Sequence, residues 1–218
     1  MRRLAALKGV RLAPSFSFGG TTTLRSQAPS MELIGVQAVK HPKLLLYLSE
    51  RGLQPSDVSP FLLEIYYKVS GKCFFALGFP NDAGGWELRN PYFKGCFAPK
   101  AITTIKGTDS HKLQLFEGFM DFLSWRKLYS EGQADSIILN SLTLLPKLIP
   151  SLHAYKMIES FLDNDEAGDR ATKQLFDAGL PVKDMRACYA PYKDVNEYLV
   201  QRLQGKKISP PRKRGLRR

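Results

Sequence analysis

The second half of the chain alternates between short apolar segments and longer stretches with helical periodicity. After His111, four segments have the apolar, β-rich composition of buried strands, and a helical stretch follows each of them. We predict strands at residues 113–116, 136–139, 157–162 and 185–189, and helices at residues 119–129, 142–152, 167–178 and 195–203. Repeated strand–helix units indicate an α/β fold with a parallel sheet flanked by helices. Open sheets of this kind bind ligands beyond the carboxyl ends of their strands.

Acidic residues stand where these predicted strands end. Glu117 follows the first strand, and Asp163 and Asp165 follow the third. Asp121 lies about one helical turn after Glu117, and Asp194 follows the fourth strand. Converging carboxylates repel one another unless a cation neutralises them, and Mg²⁺ prefers oxygen ligands. The pattern therefore predicts a site for Mg²⁺, or alternatively Mn²⁺, with Glu117 as a ligand or as a general acid/base.

Helix capping is the alternative interpretation of the same acids. Asp165 or Asn164 could cap the third helix and Asp194 the fourth, while Asp121 favours a helix N-terminus. The sequence alone leaves capping and metal binding open for each of these residues.

Residues 38–110 have a different pattern. A short helix is predicted at residues 42–51 and ends at Gly52. Two β-rich runs at residues 62–69 and 73–79 are joined by Ser70-Gly71, and a further short strand is predicted at residues 86–89. We therefore expect a small α+β subdomain with an antiparallel sheet, followed by the parallel-sheet domain at residues 111–204.

The formal net charge of +12 is concentrated at the two ends of the chain. Residues 1–37 are predicted to form a basic flexible segment, and residues 205–218 a disordered basic tail that can neutralise phosphates. The three cysteines form no C-x-x-C pair, which predicts no zinc site and fits a reducing cytoplasm. No apolar run approaches the roughly 20 residues of a membrane span, so we expect no membrane partner.

Three motifs together resemble the TOPRIM domain of bacterial DnaG-type DNA primases and their mobile-element relatives. They are Glu117-Gly118-x-x-Asp121, Asp163-x-Asp165-x-Ala167-Gly168 and Lys193-Asp194-x-Asn196. Upstream, the segment from Tyr47 to Leu53, the surroundings of Gly78 and Arg89, and Pro99-Lys100 are similar to the amino-terminal half of a primase RNA-polymerase core. The resemblance covers roughly residues 40 to 204.

The resemblance implies roles for individual residues. The catalytic residues would be Glu117, Asp163 and Asp165, and the metal ligands would be Glu117, Asp121, Asp163, Asp165 and Asp194. The residues that contact the nucleotide or the template would be Arg89, Lys94 and Lys100. Asn196 stands where primases usually carry a second acid, although an amide oxygen can still coordinate a metal. No cysteine precedes Cys73, so we expect a truncated or mobile-element primase without the zinc-binding domain.

The function expected from this resemblance is primer synthesis by metal-dependent phosphoryl transfer. The partners would be single-stranded DNA, nucleoside triphosphates and a replicative helicase or mobile-element replication protein. Two other hypotheses stay open at the level of sequence. One is a metal-dependent TOPRIM nuclease, and the other is a catalytically degenerate protein that binds single-stranded nucleic acid.

Overall fold

The computed structural model describes residues 31–129 and 132–205, which contain ten strands and six α-helices. Most of the two predicted basic ends, residues 1–30 and 206–218, lies outside the described residues. In the described ranges, no helix is long and apolar enough to cross a membrane. The elements in chain order are β1 (Met31–Gln37), α1 (Pro42–Glu50), α2 (Pro55–Val58), β2 (Leu63–Val69), β3 (Lys72–Pro80), β4 (Trp86–Asn90), β5 (Phe93–Phe97), β6 (Thr103–Ile105), β7 (Asp109–Phe116), α3 (Phe119–Tyr129), β8 (Ala134–Ile138), α4 (Leu145–Leu152), β9 (Met157–Phe161), α5 (Glu166–Asp177), β10 (Val182–Asp184) and α6 (Val195–Leu203).

The first sheet is an antiparallel meander in the order β1-β2-β3-β4-β5. It confirms the antiparallel sheet predicted for the amino-terminal half. The prediction that residues 31–37 are flexible is wrong, because these residues form β1 and pair with β2 from Met31↔Val69 to Gln37↔Glu64. The partner strand lies about thirty positions away, and local composition does not reveal a pairing at that distance.

The second sheet has the order β10-β9-β7-β8-β6. Strands β10, β9, β7 and β8 run parallel to one another, and β6 pairs antiparallel with β8 at the edge. The predicted parallel sheet is therefore confirmed, with β6 added from the upstream half of the chain. The strand predicted at residues 185–189 is wrong, since the strand β10 ends at Asp184 and Arg186–Cys188 form a 3-10 turn.

One apolar core joins the two sheets. Phe79 of β3 stacks on Phe119 of α3 with ring centroids 5.1 Å apart, and it also packs against Phe122. The same core includes buried leucines of α1 and α6, such as Leu48 and Leu199. Because a single core contains side chains of both halves, the first sheet is fixed relative to the carboxyl edge of the second sheet.

Glu64 ties β1 and the start of α1 to β2. Its carboxylate is fully buried and accepts hydrogen bonds from Gln37 Nε2 at 2.9 Å, from the backbone N–H of Lys40 at 3.0 Å and of His41 at 2.8 Å, and from the Tyr66 hydroxyl. Burial acts to raise the pKa of Glu64, but these hydrogen bonds outweigh it and lower the pKa to about 2.

We predict that Glu64→Gln lowers the free energy of unfolding by about 1–3 kcal/mol at neutral pH, because an amide satisfies fewer of these donors. The pKa of Glu64 lies below its ordinary value of 4.5, so its stabilisation is complete above that pH and is lost as the pH falls toward 2. Urea unfolding curves from neutral pH to about pH 2.5 should show the difference from wild type shrinking over this window. Glu50→Gln, at an exposed position of α1, is the control, and an equal loss in both variants would contradict the role of Glu64.

Candidate active site

The loops that follow β7, β8 and β9 meet at the carboxyl edge of the second sheet. The backbone N–H of Glu117 donates to the carbonyl of Phe161 at 3.3 Å, and the N–H of Asn140 donates to the carbonyl of Glu117 at 3.0 Å. The backbone N–H of Asp163 donates to Glu117 Oε2 at 3.3 Å. The structure thus brings Glu117 and Asp163 into direct contact, at the edge where the strand pattern placed them.

The carboxylates at this edge affect one another's protonation. Burial, followed by the charge of Asp163, raises the pKa of Glu117 to about 7. Burial and the charge of Asp194 raise the pKa of Asp163. Burial and then the charges of Asp194 and Asp163 hold the pKa of Asp121 well above its ordinary value. The site therefore concentrates negative charge that a cation would stabilise.

Asp121 reaches the edge from the first turn of α3. Its Oδ1 accepts a hydrogen bond from the backbone N–H of Asn196 at 3.2 Å, across the contact between α3 and α6. Gly118 leaves space for this carboxylate, because a Cβ at Gly118 would lie 3.3 Å from Asp121 Oδ2.

Asp165 and Asp194 are both helix caps. Asp165 Oδ1 accepts from the backbone N–H groups of Ala167 and Gly168 at 3.0 Å each, at the start of α5. Asp194 Oδ1 accepts from the N–H of Glu197 at 2.7 Å, at the start of α6. In each carboxylate the second oxygen takes no part in the cap, so capping and cation binding are compatible in the same residue.

Lys193 is a residue of the site to which the sequence analysis assigned no role. Its Nζ lies 3.5 Å from Asp163 Oδ2 and 3.6 Å from Asp165 Oδ2. The charges of Asp163 and Asp165 raise the pKa of Lys193. The signal in the sequence was its position directly before Asp194, in the third motif of the resemblance.

The donor chemistry of this edge fits a divalent cation. All of the candidate ligands are carboxylate oxygens, and an ammonium group already lies between Asp163 and Asp165. Within residues 31–129 and 132–205, no three His, Cys, Asp or Glu side chains are arranged to hold a metal ion as they stand. Mg²⁺ needs only one or two carboxylates, with waters and substrate phosphates as its other ligands, so the pair Asp163 and Asp165 would suffice to hold it.

Asn196 has a structural role in this fold. Its Oδ1 accepts from Arg51 Nη1 at 3.2 Å, and its Nδ2 donates to the Arg51 carbonyl and to Ser124 Oγ, both at 2.9 Å. The side chain is buried and both ends of its amide are engaged. The amide of Asn196 therefore joins α6 to α3 and to the end of α1.

The three basic residues predicted to contact nucleotide or template have different surroundings. Lys100 Nζ lies 2.8 Å from the buried carboxylate of Glu87, and Arg89 Nε donates to the Tyr47 hydroxyl at 3.1 Å. Lys94 is exposed on β5, and its charge acts to lower the pKa of Glu117. Lys94 is therefore the basic residue of the first sheet whose charge acts on the acidic edge.

A domain of unknown function (DUF8464) matches residues 33–98, and a Toprim-like family matches residues 114–199. No curated protein matches the chain.

Two solved structures share the fold. The crystal structure of the primase fragment of the bacteriophage T7 primase-helicase protein superposes with a TM-score of 0.53 at 18% identity, over 83% of this chain and 78% of that chain. The second is a chain in the structure of the bacteriophage T7 lagging-strand DNA polymerase interacting with primase domains of two gp4 subunits bound to an RNA/DNA hybrid and dTTP. It superposes with a TM-score of 0.51 at 19% identity, over 72% of this chain and 84% of that chain. At these identities the likeness concerns the fold.

We predict that Gly168→Ala destabilises the protein and disturbs the acidic edge. A Cβ at Gly168 would lie 2.0 Å from the carbonyl oxygen of Asp163, so α5 or the loop after β9 must move. Overpacking of this kind costs about 1–3 kcal/mol, and urea unfolding measures it. Gly35→Ala is the control, because a Cβ at Gly35 meets no atom within 4 Å. Equal stability of wild type and Gly168→Ala would contradict the close approach.

Proposed function

We propose that this TOPRIM primase-like chain is a nucleotidyltransferase that makes short primers on single-stranded DNA by metal-dependent phosphoryl transfer. The observation that supports the proposal is the meeting of Glu117 and Asp163 at the carboxyl edge of a Toprim-like domain, with Asp121, Asp165 and Asp194 around them. The fold shared with a primase fragment extends over 83% of the chain, so it includes residues of the upstream sheet, and this also supports primer synthesis as the proposed reaction.

Asp165 and Glu117 differ in the direction in which the protein shifts their pKa. Hydrogen bonds from the backbone N–H of Gly168, and then of Ala167, keep the pKa of Asp165 low despite its partial burial, so this carboxylate stays ionised as a ligand. Glu117 has its pKa raised to about 7, which suits a group that accepts and returns a proton at neutral pH. We assign Glu117 the role of taking the proton of a primer 3′-hydroxyl at its carboxylate.

Asp163 and Asp165 would hold Mg²⁺ or Mn²⁺, with Asp121 and Asp194 contributing charge around them. When bound, the metal supplies neutralisation of the phosphate charge that develops during transfer. The chain itself would place the triphosphate and the template through three basic residues, Arg89 and Lys94 of the first sheet and Lys100 of the segment that follows it. The basic ends of the chain would bind the DNA backbone, and a helicase or mobile-element replication protein is the proposed protein partner.

The decisive experiment is primer synthesis on single-stranded DNA with Mg²⁺ or Mn²⁺ and labelled nucleoside triphosphates. We expect the wild-type protein to join nucleotides into short primers. In Asp163→Ala the rate of primer synthesis should fall at least about 100-fold, because one carboxylate of the cation site is removed. Asp177→Asn is the matched control, since Asp177 lies in the same domain and pairs with Lys173 at the exposed end of α5.

Two outcomes would overturn the proposal. Identical products from wild type and Asp163→Ala would show that the acidic edge does not catalyse primer synthesis. The absence of product from both would show that this chain does not make primers. Metal-dependent nicking of DNA or RNA that Glu117→Gln abolishes would instead assign the same edge to a nuclease. Salt-sensitive binding that survives Asp163→Ala, without any metal-dependent chemistry, would assign the chain to the nucleic-acid-binding proteins.

A further inference from the structure

Lys193 places a positive charge between the two aspartates that the proposed function gives to a metal. Its ammonium nitrogen is within 3.6 Å of one oxygen of Asp163 and of one oxygen of Asp165. These are the Oδ2 atoms, and the other oxygen of Asp165 is occupied by the cap of α5. One cation therefore bridges the pair, and at Asp165 it does so through the oxygen that the cap leaves free.

The backbone of Lys193 is fixed to the loop that carries the two aspartates. Its carbonyl accepts from the N–H of Asn164 at 2.6 Å, and its own N–H donates to Glu197 Oε2 at 2.8 Å. Asn164 Nδ2 also donates to the carbonyl of Tyr192 at 2.7 Å. The main chain of Lys193 is thus held from both sides, which places the ammonium beside the aspartates whenever the side chain extends toward them.

The side chain of Lys193, in contrast, is free to leave. It is 58% exposed, against 17% for the Asp163 side chain. Exposed ion pairs stabilise weakly, because water screens the charges and two flexible side chains must be ordered. A divalent cation offers the two carboxylates a stronger partner, so the ammonium can be displaced by rotation of the lysine side chain without movement of the backbone.

We propose that Lys193 is an internal cation that neutralises Asp163 and Asp165 in the metal-free protein and competes with the divalent metal for them. Lys193 is a positioning residue in this scheme. It keeps the two carboxylates together before the metal arrives, and it weakens metal binding by the free energy of its own two ion pairs. The inference rests on the proposed function only in taking these aspartates as the metal ligands.

The test is the affinity of the whole chain for Mn²⁺ alone, measured by the electron paramagnetic resonance of free Mn²⁺ and by calorimetry. We expect Lys193→Gln to bind Mn²⁺ roughly three- to tenfold more tightly than wild type, the range that two exposed ion pairs give. Lys193→Arg keeps the positive charge and should return the affinity toward the wild-type value. Lys183→Gln is the matched control, because Lys183 is 61% exposed and pairs with Glu159 at 3.2 Å on the same sheet.

The results separate this inference from the proposed function. Equal or weaker Mn²⁺ binding by Lys193→Gln would overturn it, as would the same tightening in Lys183→Gln, which would reflect net charge alone. Absence of Mn²⁺ binding in both wild type and Lys193→Gln would also overturn it. Tighter binding by Lys193→Gln in a chain that makes no primer would uphold the role of Lys193 and count against primer synthesis.

Discussion

The apolar contact between β3 and α3 is the interaction on which the arrangement of the site depends. Phe79 lies between the rings of α3, and Phe122 packs in turn on Phe116 at the end of β7. Phe116 directly precedes Glu117, so the same core that joins the two sheets also fixes the strand end that carries the central carboxylate. A fully buried aromatic side chain contributes several kcal/mol through burial and packing. Across this joined structure, the charge of Lys94 on the first sheet acts to lower the pKa of Glu117 on the second.

The acidic edge also shows why capping and ligation need not exclude each other. A carboxylate has two oxygens, and a helix N-terminus uses one of them. In Asp165 the cap orients the side chain and lowers its pKa, so it presents a fixed and ionised oxygen outward. Glu117 is half-buried, and its pKa is raised by burial and by the charge of Asp163. Two carboxylates at the same edge thus acquire different protonation behaviour, because backbone N–H donors lower the pKa of Asp165 while burial and the charge of Asp163 raise the pKa of Glu117.

The sequence predicted the parts of the site that depend on local periodicity and failed where distant contacts decide. The ends of β7 and β9 were predictable because apolar runs mark buried parallel strands, and their shared edge follows from the topology. The segment after β10 was misassigned because Met185 and Tyr189 are buried without being in a strand, and the Tyr189 hydroxyl donates to the carbonyl of Leu162 at 2.6 Å. The engagement of Asn196 with Arg51 spans 145 positions, so no local motif could reveal it.

The surroundings of the basic residues favour one of them as the phosphate ligand of the proposed reaction. Glu87 is 5% exposed, and its Oε2 pairs with Lys100 while its Oε1 has no hydrogen-bond partner among the described residues. Moving Lys100 to a phosphate would leave a buried carboxylate uncompensated, which costs about 3–5 kcal/mol in comparable cases. Lys94 makes no ion pair within residues 31–129 and 132–205, so it can bind a phosphate without breaking an existing contact. Of the two lysines in the proposed function, Lys94 is therefore the one that can bind the triphosphate without giving up an ion pair.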